Sequence, residues 1–137
     1  MSSHILEVPV DTVESALLAA PHADRLEVCA DLSGEGWTPE DSVLKDIIRL
    51  APQHRTRVIS LIRPYVSPIE GELEAHHFLA SKEIMDASLA SIEYAGKVGA
   101  HGVAIGLLNA DGSIDHNSCG ISLQNLLLGA NITDTAS

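Results

Sequence analysis

The chain has 137 residues, of which 45% are hydrophobic and 20% are charged, a composition typical of a globular protein. It carries 19 acidic and 8 basic side chains, which give a formal net charge of −11, and only 3% of its residues are aromatic. A phosphate backbone or an anionic membrane surface would repel such a chain, and few rings are present to stack on bases, so we expect neither nucleic acid nor membrane as a partner.

The first predicted unit is a strand over residues 5–10 followed by a helix. Asp11 precedes Thr12-Val13-Glu14, an arrangement typical of a capping box, and it predicts that Asp11 caps this helix. Pro21 is expected to end the helix. The helix has an apolar stripe at the spacing of one helical face, formed by Val13, Ala16, Leu17 and Ala20.

The second predicted unit begins with a strand over residues 25–30, in which apolar residues alternate with charged or reactive ones. A glycine-containing loop over residues 33–36 follows the strand. Thr38 as N-cap and Pro39 at the first helical position predict that the next helix starts there. Its apolar stripe is Leu44, Ile47, Ile48 and Ala51, and Pro52 stops it.

Two more strands are predicted, over residues 57–63 and 101–107, with an irregular stretch over 64–78 after the first of them. A helix from Ser81 is expected between the strands, with Met85, Leu89, Ile92 and Gly96 on one face, and residues 109–112 form a turn. Strands that alternate with helices predict a parallel α/β sheet. The sequence lacks a Gly-x-Gly-x-x-Gly turn, which argues against a dinucleotide-binding fold. Four βα units are instead compatible with half of a (β/α)8 TIM barrel, a fold that typically needs about 250 residues.

The segment 23–39, ADRLEVCADLSGEGWTP, resembles the signature of the copper homeostasis protein CutC family. Further similar motifs follow in order: LIRP at 61–64, GAHGV at 99–103 and ADGSID at 110–115. The resemblance implies a CutC-type TIM barrel, of which about the first four βα units are present, and a role in copper homeostasis. The loop after Arg63-Pro64 departs from the family pattern.

The resemblance covers about residues 5–116 and then stops. We therefore expect residues 1–118 to form a partial CutC-like TIM-barrel domain and residues 119–137 to form a divergent or disordered tail. On this interpretation the chain is truncated relative to the family.

Three charged side chains lie on or at the end of consecutive predicted strands: Glu7, Glu27 and Arg63. In a parallel barrel the strand ends face the active-site mouth, so these residues are candidates for binding or catalysis. Glu7 or Glu27 would be a general base, and Arg63 would hold a carboxylate, phosphate or enediolate oxygen. The residues alone equally allow a structural ion pair between Arg63 and Glu27.

Cys29 is the candidate metal ligand, because a thiolate selects Cu(I) or Zn over harder cations. One cysteine makes a poor site, and the only other cysteine is Cys119, so a homo-oligomer that brings several Cys29 side chains together is the arrangement to consider. The adjacent pair His76-His77 lacks metal-ligand spacing and is interpreted as a solvated loop pair.

The expected location is cytoplasmic, since the N-terminal residues lack a signal-peptide pattern and two cysteines cannot make a disulfide framework. Three functions remain open. The first is a copper homeostasis protein that binds or traffics Cu(I), with the copper ion as its partner. The second is a TIM-barrel enzyme acting on a small anionic or sugar-like substrate. The third is a truncated, non-functional fragment whose open sheet edge promotes dimerisation or aggregation.

Overall fold

The fold is a parallel four-stranded sheet with its strands in chain order. The computed structural model describes residues 4–34, 36–64, 81–121 and 124. The strands are β1 (Glu7–Val10), β2 (Arg25–Val28), β3 (Arg57–Ile62) and β4 (Gly102–Ile105). Each strand pairs in parallel with the next, so the predicted parallel α/β sheet is confirmed. This strand order with intervening helices is the architecture of half a TIM barrel.

Helices connect successive strands, as βαβ crossovers require. They are α1 (Val13–Ala19), α2 (Asp41–Leu50) and α3 (Lys82–Val98). Pro21 and Pro52 lie in short 3-10 helices that directly follow α1 and α2. The α-helix therefore ends near each proline, but the chain continues as a 3-10 helix. In the part of the chain that the structure describes, no helix combines the length and the apolar character needed to cross a membrane.

One face of the sheet packs against the helices and forms the core. The buried strand residues of this core are Val10, Leu26, Val28 and Val58, and they meet Ala16, Ala20, Leu44, Ile47 and Ala95 from the helices. These strand positions alternate with the charged ones, because successive side chains of a strand point to opposite faces. The opposite face therefore carries the polar side chains of β1 and β2, and it corresponds to the interior of a barrel.

The predicted starts of the first two helices are wrong. Thr12, not Asp11, caps α1, in a reciprocal capping box with Ser15. Asp11 instead accepts a hydrogen bond of 3.1 Å from the backbone N–H of Leu32. The second helix begins at Asp41, because the Thr38 hydroxyl accepts a hydrogen bond from the backbone N–H of Arg63 at 2.8 Å and is not available as a cap.

The third helix begins after Ser81 as predicted. The hydroxyl of Ser81 accepts a hydrogen bond from the backbone N–H of Ile84 and so caps the helix. The buried face differs from the predicted one by about one position. Its residues are Ile84, Ser88, Ile92, Ala95 and Gly96, whereas Met85 and Leu89 are half-buried. The helix ends at Gly99, whose φ of 96° is a left-handed conformation that favours glycine.

The predicted turn at residues 109–112 is confirmed, since the N–H of Gly112 donates to the carbonyl of Asn109 at 2.9 Å. Residues 116–121 are helical. The His76-His77 pair, most of the irregular stretch and residues 125–137 of the expected tail lie outside the described residues.

Candidate functional site

The register of the first two strands brings Glu7, Arg25 and Glu27 to the face opposite the helices. Glu7 pairs with Arg25 in the ladder, and Pro9 pairs with Glu27. Residues paired in a parallel ladder share a face of the sheet, as do residues two apart on one strand. The register thus places Glu7 and Glu27 on the same face of the sheet, and it places Arg25 beside them.

The carboxyl groups of Glu7 and Glu27 are neighbours on this face of the sheet. Burial raises the pKa of Glu27 above its ordinary value, and the hydrogen bond and negative charge of Glu7 raise it further. The Arg25 Nε lies 2.7 Å from Oε2 of Glu7. That Nε lacks hydrogen-bond geometry, so the contact is an ionic attraction. The surroundings of Glu27 favour a proton on it more than those of an isolated carboxyl group would, while Arg25 stabilises the negative charge of Glu7.

Cys29 follows β2 and is 1% exposed. Its Sγ lies 3.5 Å from the carbonyl oxygen of Val10, toward which the thiol donates. Burial raises the pKa of Cys29 to about 11, with further contributions from the negative charges of Glu27 and Asp11. At neutral pH the group is consequently the protonated thiol, not the thiolate that binds metals.

The loop after β2 folds back over Cys29. Ala30 and Trp37 form an antiparallel bridge that closes the loop. Gly36 has a φ of 84°, and a Cβ there would lie 3.4 Å from Leu61 Cδ2 and 3.7 Å from Cys29 Sγ. These distances are ordinary van der Waals contacts, so the left-handed backbone is what favours glycine at this position.

Arg63 lies just after β3 and is 7% exposed. Its Nη1 donates to the carbonyl of Gly36 at 3.1 Å, and its guanidinium carbon lies 4.3 Å from the centre of the Trp37 ring. The backbone of Arg63 also pairs with Thr38. These contacts fix the guanidinium against the loop after β2, at the end of the strands where Cys29 lies. The role of Arg63 as an anion clamp stays a prediction.

Copper would need further ligands beside Cys29. Among residues 4–34, 36–64, 81–121 and 124, no group of three or more His, Cys, Asp or Glu side chains is arranged to hold a metal ion. Cys119 packs in a separate cluster with Ile84 and Leu107. Cys29 as a copper ligand also stays a prediction.

Sequence reasoning missed three residues of this region: Arg25, Gly36 and Trp37. Arg25 carried a detectable signal, because it is two residues before Glu27 on a strand and so shares its face. Gly36 and Trp37 carried none, since their contacts with Arg63 depend on how the loop folds back.

The fold and the polar interior face define half of a parallel (β/α) barrel with a carboxyl pair inside it. The sequence profile described as the CutC family matches residues 4–133, and the chain belongs to that family. The match extends beyond residue 118, and the division of the chain at that residue stays a prediction.

Curated relatives and a solved structure are similar to this chain over most of its length. The copper homeostasis protein cutC homolog of Homo sapiens is 36% identical over 116 residues, which are 84% of this chain and 38% of that protein. The family protein CutC of Pasteurella multocida is 34% identical over 120 residues, 87% of this chain and 44% of that protein. The chain thus spans about two fifths of these relatives' length.

The crystal structure of a CutC protein from Streptococcus agalactiae superposes with a TM-score of 0.70 at 20% identity. The superposition covers 93% of this chain and 56% of that one. At this identity the likeness concerns the fold, and it agrees with the half-barrel arrangement of strands.

Proposed function

We propose that the chain supplies the first half of a CutC-type barrel whose interior binds a small anionic or sugar-like ligand at the Glu7–Glu27 carboxyl pair. The observation that carries the proposal is the placement of these two carboxyl groups side by side on one face of the sheet, with Glu7 paired to Arg25 and the pKa of Glu27 raised. We also propose that the protein is cytoplasmic, as expected from its sequence.

A carboxyl pair of this kind is suited to proton transfer. Two neighbouring carboxyl groups with different environments differ in pKa, and one then acts as acid while the other acts as base. Glu27 would supply a proton, and Glu7 would accept one. Arg63, which Gly36 and Trp37 fix at the C-terminal ends of the strands, lies toward the opposite end from Glu7 and Arg25, so it would bind the negative charge only of a ligand that extends from the carboxyl pair to that end.

Replacing Glu27 by glutamine is expected to flatten the dependence of thermal stability on pH. Because the pKa of Glu27 is higher in the folded chain than its ordinary value of 4.5, its protonation favours the fold. This contribution is fully present below about pH 4.5 and is lost as the pH rises through the raised pKa. Melting temperatures from pH 4 to pH 8 measure it, and the effect is expected to be below about 1 kcal/mol because the pair is partly solvated.

The same variant tests ligand binding. Wild type is expected to melt at a higher temperature in the presence of a sugar phosphate or a small hydroxy acid, and Glu27→Gln is expected to lose this shift. Glu93→Gln, an exposed change on α3, is the matched control and should retain it. A Glu27→Gln chain that keeps both the pH dependence and the ligand shift would exclude the carboxyl pair as the site.

The second candidate function is Cu(I) binding at Cys29. Two observations favour it: the human and Caenorhabditis elegans relatives are named copper homeostasis protein cutC homologs, and Cys29 lies at the C-terminal end of β2 beside a cavity of about 240 Å³. Asp11, Asp31 and Glu40 also line this cavity. Binding would require the thiol to lose its proton, so its affinity should rise with pH.

A competition titration with a chromogenic Cu(I) chelator under reducing conditions tests this candidate. We expect Cys29→Ser to lose Cu(I) binding and Cys119→Ser to retain it. Equal affinities of wild type and Cys29→Ser would refute Cu(I) binding at Cys29 without affecting the carboxyl-pair proposal.

A further inference from the structure

A basic groove lies at the amino-terminal ends of β2 and β3, opposite the end where Cys29 and Arg63 are found. Its volume is about 510 Å³, and its charged and imidazole side chains are His22, Asp24, Arg25, His54, Arg55 and Arg57. The whole chain has only 8 basic residues against 19 acidic ones, so three arginines around one groove are a local exception to its negative charge.

The positive charges of these arginines lie close together, and their mutual repulsion is unfavourable when no anion occupies the groove. Arg25 and Arg57 are register partners on adjacent strands, where like charges repel. Glu7 compensates Arg25, but among the residues that the structure describes no ion pair engages the guanidinium of Arg55 or Arg57. Burial lowers the pKa of His101, and the positive charge of Arg57 lowers it further. An anion in the groove would relieve this repulsion.

Hydrogen bonds join the two segments that form the walls of the groove. The buried hydroxyl of Thr56 donates to the carbonyls of Ala20 and Ala23 at 2.6 and 3.1 Å, and this joins the segment before β2 to the segment before β3. The N–H of Arg57 donates to the carbonyl of Asp24. Arg55 has a φ of 59°, a left-handed conformation that is costly for a residue with a side chain.

We propose that this groove binds a compact anion of the phosphate type with two or more negative charges. Guanidinium groups bind phosphate oxygens through paired N–H donors, and the two imidazoles offer further donors. The ligand is a small molecule, since the net charge of −11 opposes the approach of a polyanion such as nucleic acid. The groove adjoins the Glu7–Glu27 pair through Arg25, but the proposal rests on Arg55 and Arg57 and does not depend on the function proposed for the pair.

Calorimetric titration of the full chain with inorganic pyrophosphate, at constant ionic strength set by sodium chloride, tests the proposal. Arg57→Gln is expected to weaken binding about tenfold, since one charge-assisted contact is lost. Arg55→Gly should weaken it about as much, and since glycine fits the left-handed backbone at this position, the circular dichroism spectrum of this variant should match that of wild type.

Arg49→Gln is the matched control, because Arg49 is an exposed arginine in the last turn of α2 and does not line the groove. It should bind pyrophosphate as wild type does, and so should Glu27→Gln, which distinguishes this site from the carboxyl pair. If the Arg55→Gly, Arg57→Gln double variant binds pyrophosphate unchanged, or if Arg49→Gln weakens binding equally, the groove is only a solvated basic surface and the proposal fails.

Discussion

Replacing Leu26 by alanine is expected to lower the free energy of unfolding by about 2–5 kcal/mol, because it removes a fully buried side chain from the middle of the sheet. Leu26 has no exposed surface and packs between β1 and β3 against α1 and α2. The cavity left behind cannot be filled by movement of the paired strands, which the ladder holds in place. Urea denaturation followed by circular dichroism measures the change.

Leu18→Ala is the matched control for this substitution. Leu18 lies on α1 with 72% of its surface exposed, so the same chemical change there should alter stability by about 0.5 kcal/mol or less. Similar losses in the two variants would contradict the assignment of the core to the helix-facing side of the sheet.

The sheet could be predicted from the sequence because its signal is local and repeated. Aliphatic residues alternate with charged ones in Arg25–Val28, Arg57–Ile62 is a mainly aliphatic run, and a helical stripe follows the first of these strands. The helix starts could not be predicted to the residue. Asp11 and Thr38 are both favourable caps by residue type, but tertiary hydrogen bonds to Leu32 and Arg63 engage their side chains.

The carboxyl pair was partly predictable, since Glu7 and Glu27 both lie on strands, but their contact depends on a register that the sequence does not specify. The surroundings of Arg63 were not predictable. They require Gly36 to adopt a positive φ and Trp37 to bridge back to Ala30, so they arise only when the loop is folded.

Arg25 joins the carboxyl pair to the basic groove. Its guanidinium contacts Glu7, and the same residue lines the groove with Arg57. Both candidate sites therefore share one row of charges across β1, β2 and β3, ordered Glu7, Arg25 and Arg57. Removal of Glu7 would leave two cations side by side, whereas removal of Glu27 leaves the row unchanged, which is why Glu27 is the better position for testing the carboxyl pair.

Replacing Arg63 by alanine is expected to destabilise the fold by about 2–4 kcal/mol. The substitution removes a desolvated cation–π contact with Trp37 and leaves the carbonyl of Gly36 without its donor. It also removes the packing of the side chain stem between β3 and the loop after β2. Chemical denaturation measures the total loss, and the fluorescence of Trp37, the only tryptophan of the chain, reports the local change.

Arg63→Met separates the two contributions, because methionine retains apolar packing on the indole but has neither the charge nor the hydrogen-bond donors. We expect it to recover part of the stability lost in Arg63→Ala, while Arg49→Ala, at an exposed position of α2, should change stability little. Should Arg63→Ala be as stable as wild type with unchanged Trp37 fluorescence, the guanidinium would not anchor the loop.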